Sequence, residues 1–354
     1  SESLRNDGRI WVPRKAGDNR PANEIPDAER DYYLERKYPA FANLTPRDIA
    51  SRAAREQIEA GHGVGPLKNS VYLDFRDARE RLGVKVLNER YGNLFEMYTH
   101  ATGEDPREVP MRIAPGAHFA MGGLWSDYDQ MTSIPGLFVG GEAGWAYHGA
   151  NRLGANSLLS ACVDGWFTLP YSVPNYLADM LGTEETPLDD SAVQRTVREV
   201  QERVNRLLSI KGKTPTDHFH ARLGEILYEG CGVSRNEQKR VRAIEQICEL
   251  REEFYRDLFI PGEGNYYNQE LERAGRVEDY LELAELMCVD ALDRKESAGA
   301  HFREEFQTPD GEAQRNDADW CFVSAWEFGD GHAHIRHAEP LTFDVIELQT
   351  RNYR

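Results

Sequence analysis

Apolar residues recur with helical spacing through much of the second half of the chain. Stripes at steps of three and four run over residues 193–207, 241–258 and 283–292, and such stripes are typical of amphipathic helices. Three helices with short connections predict an antiparallel bundle. Beyond residue 308 the pattern changes to strand and loop, and the run CFVSAW at 321–326 predicts a strand.

The first half of the chain lacks this regularity. Residues 1–112 are charged and broken by prolines, with one helix-like stretch at 48–59. Residues 113–177 carry the fewest charges and are rich in glycine. Within them the apolar run Leu-Phe-Val at 137–139 is bounded by glycines, which predicts a short buried strand.

Composition narrows the class of protein. Of the 354 residues, 40% are hydrophobic and 29% are charged, which is ordinary for a globular protein and excludes a collagen-like or disordered chain. The formal net charge of −18 argues against a nucleic-acid surface. No apolar run approaches the roughly 20 residues that cross a bilayer, and the first residues show no secretory signal.

Cysteine and histidine positions give little sign of a metal or a disulfide framework. The five cysteines are odd in number and no two have CxxC spacing, so we expect buried thiols in a reducing compartment, the cytosol. His332, His334 and His337 have metal-like spacing but lie in a polar turn. We expect an exposed loop there and no metal site.

Three neighbouring motifs hold the candidate chemistry: PGAHFAMGG at 115–123, GLFVGGE at 136–142 and HGANRLGANSLL at 148–159. A strand ending in Gly-Gly-Glu is typical of a nucleotide site whose carboxylate, here Glu142, accepts hydrogen bonds from sugar hydroxyls. Glycines on either side of Arg152 allow a ligand to approach the backbone closely. Asn156 and Ser157 are expected to cap a helix, whose N-terminus would attract an anionic ligand or ring.

These motifs resemble the flavoprotein subunit of succinate dehydrogenase and fumarate reductase, most closely in the succinate dehydrogenases of actinobacteria and similar bacteria. Further stretches follow in the family's order: GRIWVP at 8–13, RDYYLERKYPAF at 30–41, EGCG at 229–232 and RKESAGAHFR at 294–303. The resemblance therefore covers nearly the whole chain. It departs from the family at Ala298, where many members have arginine.

The resemblance implies a multidomain α+β fold. Residues 1–113 would form a capping domain that closes over the substrate, and residues 114–178 the C-terminal part of an FAD-binding, Rossmann-like domain. Residues 179–306 would form the three-helix bundle, and residues 307–354 a small strand-containing C-terminal domain.

The resemblance also implies a dicarboxylate substrate. His118 and Arg152 match the residues that bind one carboxylate, and Ser1 stands at the position of a threonine that offers a hydroxyl to the other. A guanidinium binds a carboxylate bidentately, which suits Arg152 to this role.

Proton transfer is implied for three further residues. Arg47, in the stretch PRDIAS at 46–51, matches the family's arginine that exchanges a proton with the substrate. Glu2 and Arg5 match a proton relay. The role of Arg47 depends on that relay, because a guanidine with a pKa above about 12 is a poor base.

FAD is the implied cofactor. Glu142, Asn156, Ser157 and Leu158 match residues that hold the flavin, and the helix start would stabilise negative charge on the reduced ring. The family's Gly-x-Gly-x-x-Gly fingerprint and its covalent attachment histidine have no match in this sequence. We therefore expect an incomplete FAD site, in the C-terminal part of a longer flavoprotein.

The implied function is oxidation of succinate to fumarate by hydride transfer to FAD, with electrons passed to an iron–sulfur subunit. The implied partners are that subunit, a membrane anchor and the missing N-terminal FAD-binding segment, at the inner face of the cell membrane. Three alternatives stay open. They are fumarate reduction by the same groups, a soluble flavoenzyme resembling L-aspartate oxidase, and a non-catalytic half-chain that only supports assembly.

Overall fold

The chain divides into two compact units. The computed structural model describes residues 3–145, 147–262, 266–329 and 334–349. Unit 1 comprises Ser1–His118 and Phe343–Arg354, and unit 2 comprises Phe119–Thr342. Each unit has a hydrophobic core of its own.

Unit 1 is built on a four-stranded antiparallel sheet. Its strands are β1 (Arg9–Pro13), β2 (Arg30–Asp31), β3 (Val71–Asp74) and β4 (Met111–Ile113). Their order is β2-β1-β3-β4, and Ile10 of β1 pairs with Leu73 of β3 in the core. Strands this short leave too few alternating positions to produce a periodic signal in the sequence.

Three helices cover this sheet: α1 (Tyr33–Lys37), α2 (Arg47–Gln57) and α3 (Arg76–Thr102). Ile49 of α2 and Phe95 of α3 are fully buried in the same core as the central strands. The helix predicted at 48–59 is confirmed. Its α-helical part begins at Arg47, and a π turn (Ile58–His62) extends it.

The glycine-rich beginning of unit 2 consists of loops and single bridges in its described residues. The strand predicted at 137–139 is therefore wrong. Phe138 forms one isolated bridge with Met131, and only Val139 of the apolar run is buried. Gly136, with φ +83°, turns the chain just before the run, so the backbone does not enter it in an extended conformation.

Helices dominate the rest of unit 2. Helix α4 (Asn156–Val163) continues through a π turn (Asp164–Thr168) into α5 (Leu169–Leu177). Four longer helices follow: α6 (Ser191–Ser209), α7 (Thr216–Gly230), α8 (Glu237–Asp257) and α9 (Gln269–Asp293).

The predicted bundle exists, with two differences. Phe219, Phe254 and Leu281 are buried where α7, α8 and α9 meet, yet the hydrophobic pattern does not single out α7. Helix α6 has the predicted stripe, but Val197 and Val200 are exposed. A stripe shows that one helix face is apolar, and it does not show what covers that face.

Short strand pairs complete unit 2. Strand β5 (Thr214–Pro215) pairs in parallel with β6 (Leu258–Phe259). After the short helix α10 (Asp317–Trp320), strand β7 (Phe322–Phe328) pairs antiparallel with β8 (His334–Pro340). The strand predicted at 321–326 is confirmed. Among the described residues, no helix combines the length and hydropathy needed to cross a membrane.

The predicted fold class is confirmed, since helices and strands are mixed in a multidomain α+β chain. The finer division into four domains stays a prediction. Cys231 and Cys288 are buried as expected, whereas Cys162 is exposed.

One ion pair of unit 1 makes its stability depend on pH. Arg9 donates to both carboxylate oxygens of Glu35, at 2.8 and 2.9 Å. These hydrogen bonds hold the pKa of Glu35 below its usual value of 4.5. A carboxylate whose pKa is lower in the folded state stabilises the fold above its unfolded pKa and loses this contribution as the pH falls.

We expect Glu35→Gln to lower the stability of unit 1 at pH 7 by about 0.5–1 kcal/mol, and this deficit to shrink as the pH falls from 5 to 3. Thermal unfolding at a series of pH values measures the difference. Glu108→Gln, at a more exposed pair with Arg79, is the control and should lower the stability less at pH 7. A deficit for Glu35→Gln that does not change with pH would contradict the argument.

Candidate functional site

A linking segment, residues 119–124, joins the motifs of unit 2. The amide of Ala120 donates to Oε1 of Glu142 at 2.8 Å, and the amide of Leu124 donates to the carbonyl of Ala143 at 2.7 Å. A Cβ atom on Gly123 would lie 2.1 Å from that same carbonyl oxygen. Only glycine allows this close approach, so the Met-Gly-Gly of the motif has a direct steric reason.

The linking segment also contacts the arginine loop, residues 148–154. The amide of Arg152 donates to the thioether of Met121 at 3.3 Å. The Arg152 guanidinium lies over the Phe119 ring, 4.4 Å from its centroid, and the residue is only 7% exposed. The same ring meets His148 edge-on at 5.4 Å. The aromatic face restricts the orientation of the cation.

The glutamate turn, residues 140–144, lies against the helix that follows the arginine loop. The amide of Gly141 donates to Oδ2 of Asp164 at 2.6 Å, and Asp164 is 3% exposed. Glu142 itself is exposed. Asp164 was not among the predicted site residues, although an acidic residue inside the apolar stretch ACVDGWF is a signal that could have indicated it.

Helix α4 begins without a side-chain cap, which corrects the expected capping by Asn156 and Ser157. Its N-cap position is Ala155 with φ +64°, and both residues lie in the first helical turn. Leu158 is 74% exposed. The amides of a first turn have no partner within their own helix, and the helix dipole favours negative charge near them. The helix start is therefore still expected to attract an anionic ligand, although Asn156 and Ser157 do not cap it.

A distant part of unit 2 supports the arginine loop. The amide of Ala300, in the stretch RKESAGAHFR, donates to the carbonyl of Ala150 at 2.8 Å. Gly299 has φ +56°, and a Cβ atom on it would lie 2.4 Å from the same oxygen. The stretch is similar in sequence to the family described above, but no local pattern shows which loop it contacts.

The electrostatics of the arginine loop favour a neutral histidine beside a cation. Burial lowers the pKa of His148, and the charge of Arg152 lowers it further, whereas Asp164 acts in the opposite direction. Near neutral pH the positive charge of this loop is therefore that of Arg152.

Unit 1 brings together two other predicted residues. Nη1 of Arg47, at the start of α2, lies 3.3 Å from Nε2 of His118. A guanidinium only donates, so Nε2 of His118 is the acceptor in this contact.

Arg5 supports the turn that precedes Arg47. Its Nη1 donates to the carbonyls of Asn43 and Thr45 at 3.0 and 2.7 Å, and the residue is 7% exposed. Ser1 and Glu2, the other residues predicted near the chain start, lie outside the described residues.

Each unit thus presents a distinct set of groups. Unit 2 offers a cation on an aromatic ring, an exposed carboxylate and an uncapped helix start, and unit 1 offers an arginine–histidine pair. His332 lies outside the described residues, and no group of three or more metal-ligating side chains occurs in the part of the chain that the structure describes.

Two sequence families match the chain. Residues 1–158 match the family described as FAD binding domain, and residues 220–353 match the family described as fumarate reductase flavoprotein C-term. The first match contains the linking segment, the glutamate turn and the arginine loop, and the second contains most of the bundle and the strands that follow it.

Individual proteins show the same similarity. The succinate dehydrogenase flavoprotein subunit of Bacillus subtilis is 36% identical over 353 residues, 99% of this chain and 54% of that protein. The fumarate reductase flavoprotein subunit of a Serratia strain is 34% identical over 265 residues, 74% of this chain and 42% of that protein. A solved structure of mutated Escherichia coli quinol fumarate reductase has a TM-score of 0.78 at 26% identity, covering 100% of this chain and 57% of that one. The chain spans about half the length of the curated relatives it matches.

We expect Gly299→Ala to destabilise unit 2 by about 1–3 kcal/mol, because the added methyl group would meet Ala150 and the backbone would be strained. Gly275→Ala is the matched control, since Gly275 lies inside α9 with open space around it and alanine favours a helix. Thermal unfolding of both variants measures the effect. Equal stability of Gly299→Ala and the parent would show that the two loops are not held together in this way.

Proposed function

Since this chain belongs to the family of succinate dehydrogenase and fumarate reductase flavoprotein subunits, we propose that it is the C-terminal part of a flavoprotein that oxidises succinate to fumarate. The observation that carries the proposal is the linking segment of unit 2. Its consecutive residues Phe119, Ala120 and Met121 hold a carboxylate suited to a sugar and a guanidinium suited to a dicarboxylate.

Substrate recognition is proposed for Arg152, His118 and Ser1. The planar fork of Arg152 binds a carboxylate bidentately, and the Phe119 ring beneath it restricts its orientation before the substrate arrives. His118, whose Nε2 accepts from Arg47, would bind the same carboxylate, as the resemblance implies. Ser1 would give its hydroxyl to the second carboxylate, as the resemblance implies.

Proton transfer is proposed for Arg47, with Glu2 and Arg5 as its relay. The contact of Arg47 with His118 supports this role, since His118 is itself proposed to bind the substrate. Arg5, held on the carbonyls of Asn43 and Thr45, fixes the backbone immediately before Arg47. A guanidinium gives up a proton only where another group restores it, which is the task proposed for Glu2.

FAD is supported as the cofactor by the match of residues 1–158 to an FAD-binding domain, and it supplies hydride acceptance when bound. The donor set fits part of such a site. Glu142 is exposed and uses Oε1 for Ala120, which leaves Oε2 for sugar hydroxyls. Asn156, Ser157 and Leu158 form the helix start proposed to hold the flavin; the Asn156 amide donates to the Leu153 carbonyl at 3.4 Å, and the amides of Ser157 and Leu158 would stabilise negative charge on a reduced flavin.

A further FAD-binding segment is proposed to cover an apolar face on α4, the π turn and α5. This apolar face consists of residues that are all at least 60% exposed, namely Leu158, Leu159, Trp166, Phe167 and Tyr171. So many large apolar side chains next to each other along the chain are unusual on a free surface. The length of the relatives, about twice that of this chain, leaves room for such a segment.

We propose that electrons pass on to an iron–sulfur subunit and that a membrane anchor subunit holds the assembly at the inner face of the cell membrane. Both curated relatives described above are named as flavoprotein subunits, which supports assembly with other subunits. No nucleic acid is expected as a partner, given the net charge of −18.

We expect the chain purified alone to be colourless, and the chain co-expressed with its FAD-binding segment to carry about one FAD per chain. Replacing Trp166 and Phe167 together by serine should reduce co-purification of that segment, because their burial would stabilise the contact. The control is Tyr266→Ser, which removes an exposed aromatic residue outside the apolar face. A full complement of flavin on the chain alone would contradict the proposal.

In the complete enzyme, we expect Arg152→Ala to weaken binding of malonate or succinate about ten- to a hundredfold, since hydrogen bonds to charged groups are lost. Arg47→Lys should leave that binding unchanged and lower kcat steeply, because the proton would start from a displaced donor. Binding, turnover and flavin content are measured on the same preparations.

The control for both variants is Arg36→Lys, at an exposed pair with Asp31, which should change neither quantity. Unchanged binding in Arg152→Ala, or full turnover in Arg47→Lys, would remove that residue from its proposed role. Turnover of L-aspartate in place of succinate would favour the alternative of a soluble oxidase. A complete enzyme with neither activity would favour the assembly-only alternative.

A further inference from the structure

We propose that Asp164 is a positioning residue for FAD binding, which holds the glutamate turn so that the carboxylate of Glu142 faces outward to a ligand. The inference rests on the proposed function, because it assigns Glu142 to the cofactor. Asp164 lies in the π turn after α4, and none of the roles proposed above includes it.

The central contact joins a buried carboxylate to a glycine turn. Oδ2 of Asp164 accepts from the amide of Gly141 at 2.6 Å, and Asp164 is 3% exposed. Gly141 has φ +65°, one of many conformations open to a glycine, so contacts and not steric restriction must fix the backbone here. Glu142 follows directly, so the direction of its side chain depends on how Gly141 is held.

The turn fits closely against the helix that carries Asp164. A Cβ atom on Gly140 would lie 3.3 Å from the Cβ of Asp164 and 3.3 Å from Cδ1 of Leu169. A Cβ atom on Gly141 would lie 3.3 Å from the Cβ of Ala161. The two glycines thus allow the turn to come near enough for the hydrogen bond.

Asp164 also affects Tyr147, which follows the glutamate turn in the chain. Burial raises the pKa of Tyr147, and the negative charge of Asp164 raises it further. Nε2 of Gln130, a buried side chain, donates to the Tyr147 hydroxyl at 2.8 Å. One carboxylate therefore lies close to both Gly141 and Tyr147, on either side of Glu142.

The choice of an acid at this position is costly for the fold. Asp164 is 3% exposed, and burying a carboxyl group costs free energy that an apolar residue at the same place in a helix would not cost. Departures of this kind from the cheapest sequence are expected at functional sites.

The required property of Asp164 is its acceptor oxygen, which gives two contrasting variants. Asp164→Ala removes the acceptor, whereas Asp164→Asn keeps an oxygen of the same reach and removes the charge. Asp179→Ala is the matched control, because Asp179 is exposed on the short helix after α5.

The first measurement uses this chain by itself. We expect the Gly141 amide to exchange with deuterium about tenfold faster or more in Asp164→Ala, and within about threefold of the parent in Asp164→Asn. Exchange in the α7–α9 bundle reports whether either variant has unfolded. Parent-like exchange in Asp164→Ala would overturn the proposal.

The second measurement uses the flavoprotein completed by its FAD-binding segment. We expect FAD affinity about tenfold weaker or more in Asp164→Ala and parent-like in Asp164→Asn and Asp179→Ala. Equal loss in Asp164→Ala and Asp164→Asn would overturn the positioning role, because charge and not geometry would then matter. Failure of the parent flavoprotein to bind FAD would instead overturn the proposed function. Faster exchange at Gly141 with unchanged FAD affinity would separate Asp164 from the cofactor and overturn the inference.

Discussion

The candidate site of unit 2 depends on the hydrogen bonds of two consecutive residues, Ala120 and Met121. The amide of Ala120 holds the carboxylate of Glu142, and the thioether of Met121 accepts from the amide of Arg152. Because these contacts originate one residue apart, the distance between the glutamate turn and the arginine loop is determined by a single short piece of backbone. The glycine content of the region follows from this constraint, since loops that approach through their backbones leave no room for Cβ atoms, as at Gly123.

Buried and exposed charges have different tasks in this arrangement. Asp164 is buried and accepts from a backbone amide of its own chain, so its acceptor oxygen is used for structure. Glu142 is exposed and keeps one carboxylate oxygen for a ligand. Arg152 lies between these cases, because its guanidinium is largely buried yet rests on an aromatic ring, a surface that orients a cation without neutralising it.

The bundle contributes stability and also reaches the site. Its core of apolar side chains holds α7, α8 and α9 together, and the chain that leaves α9 carries Gly299 and Ala300 to the carbonyl of Ala150. A disturbance in the bundle can therefore move the arginine loop. The apolar face on α4 and α5 shows the opposite situation, since its large side chains find no cover within the described part of the chain.

The sequence by itself determined the family, the cofactor and the elements with a strong local period. The stripes of α6, α8 and α9 and the apolar run of β7 were readable because spacing along the chain reflects the geometry of one helix or one strand. The HGANR motif marked Arg152 because it is contiguous. The run at 137–139 misled, since its composition suits a strand while the φ of Gly136 prevents extension. Only the tertiary structure decided which residues meet: Gly141 with Asp164, Arg47 with His118, and Gly299 with Ala150. These contacts join residues far apart in the chain, and a local pattern records which face of an element is apolar, not which distant segment lies against it.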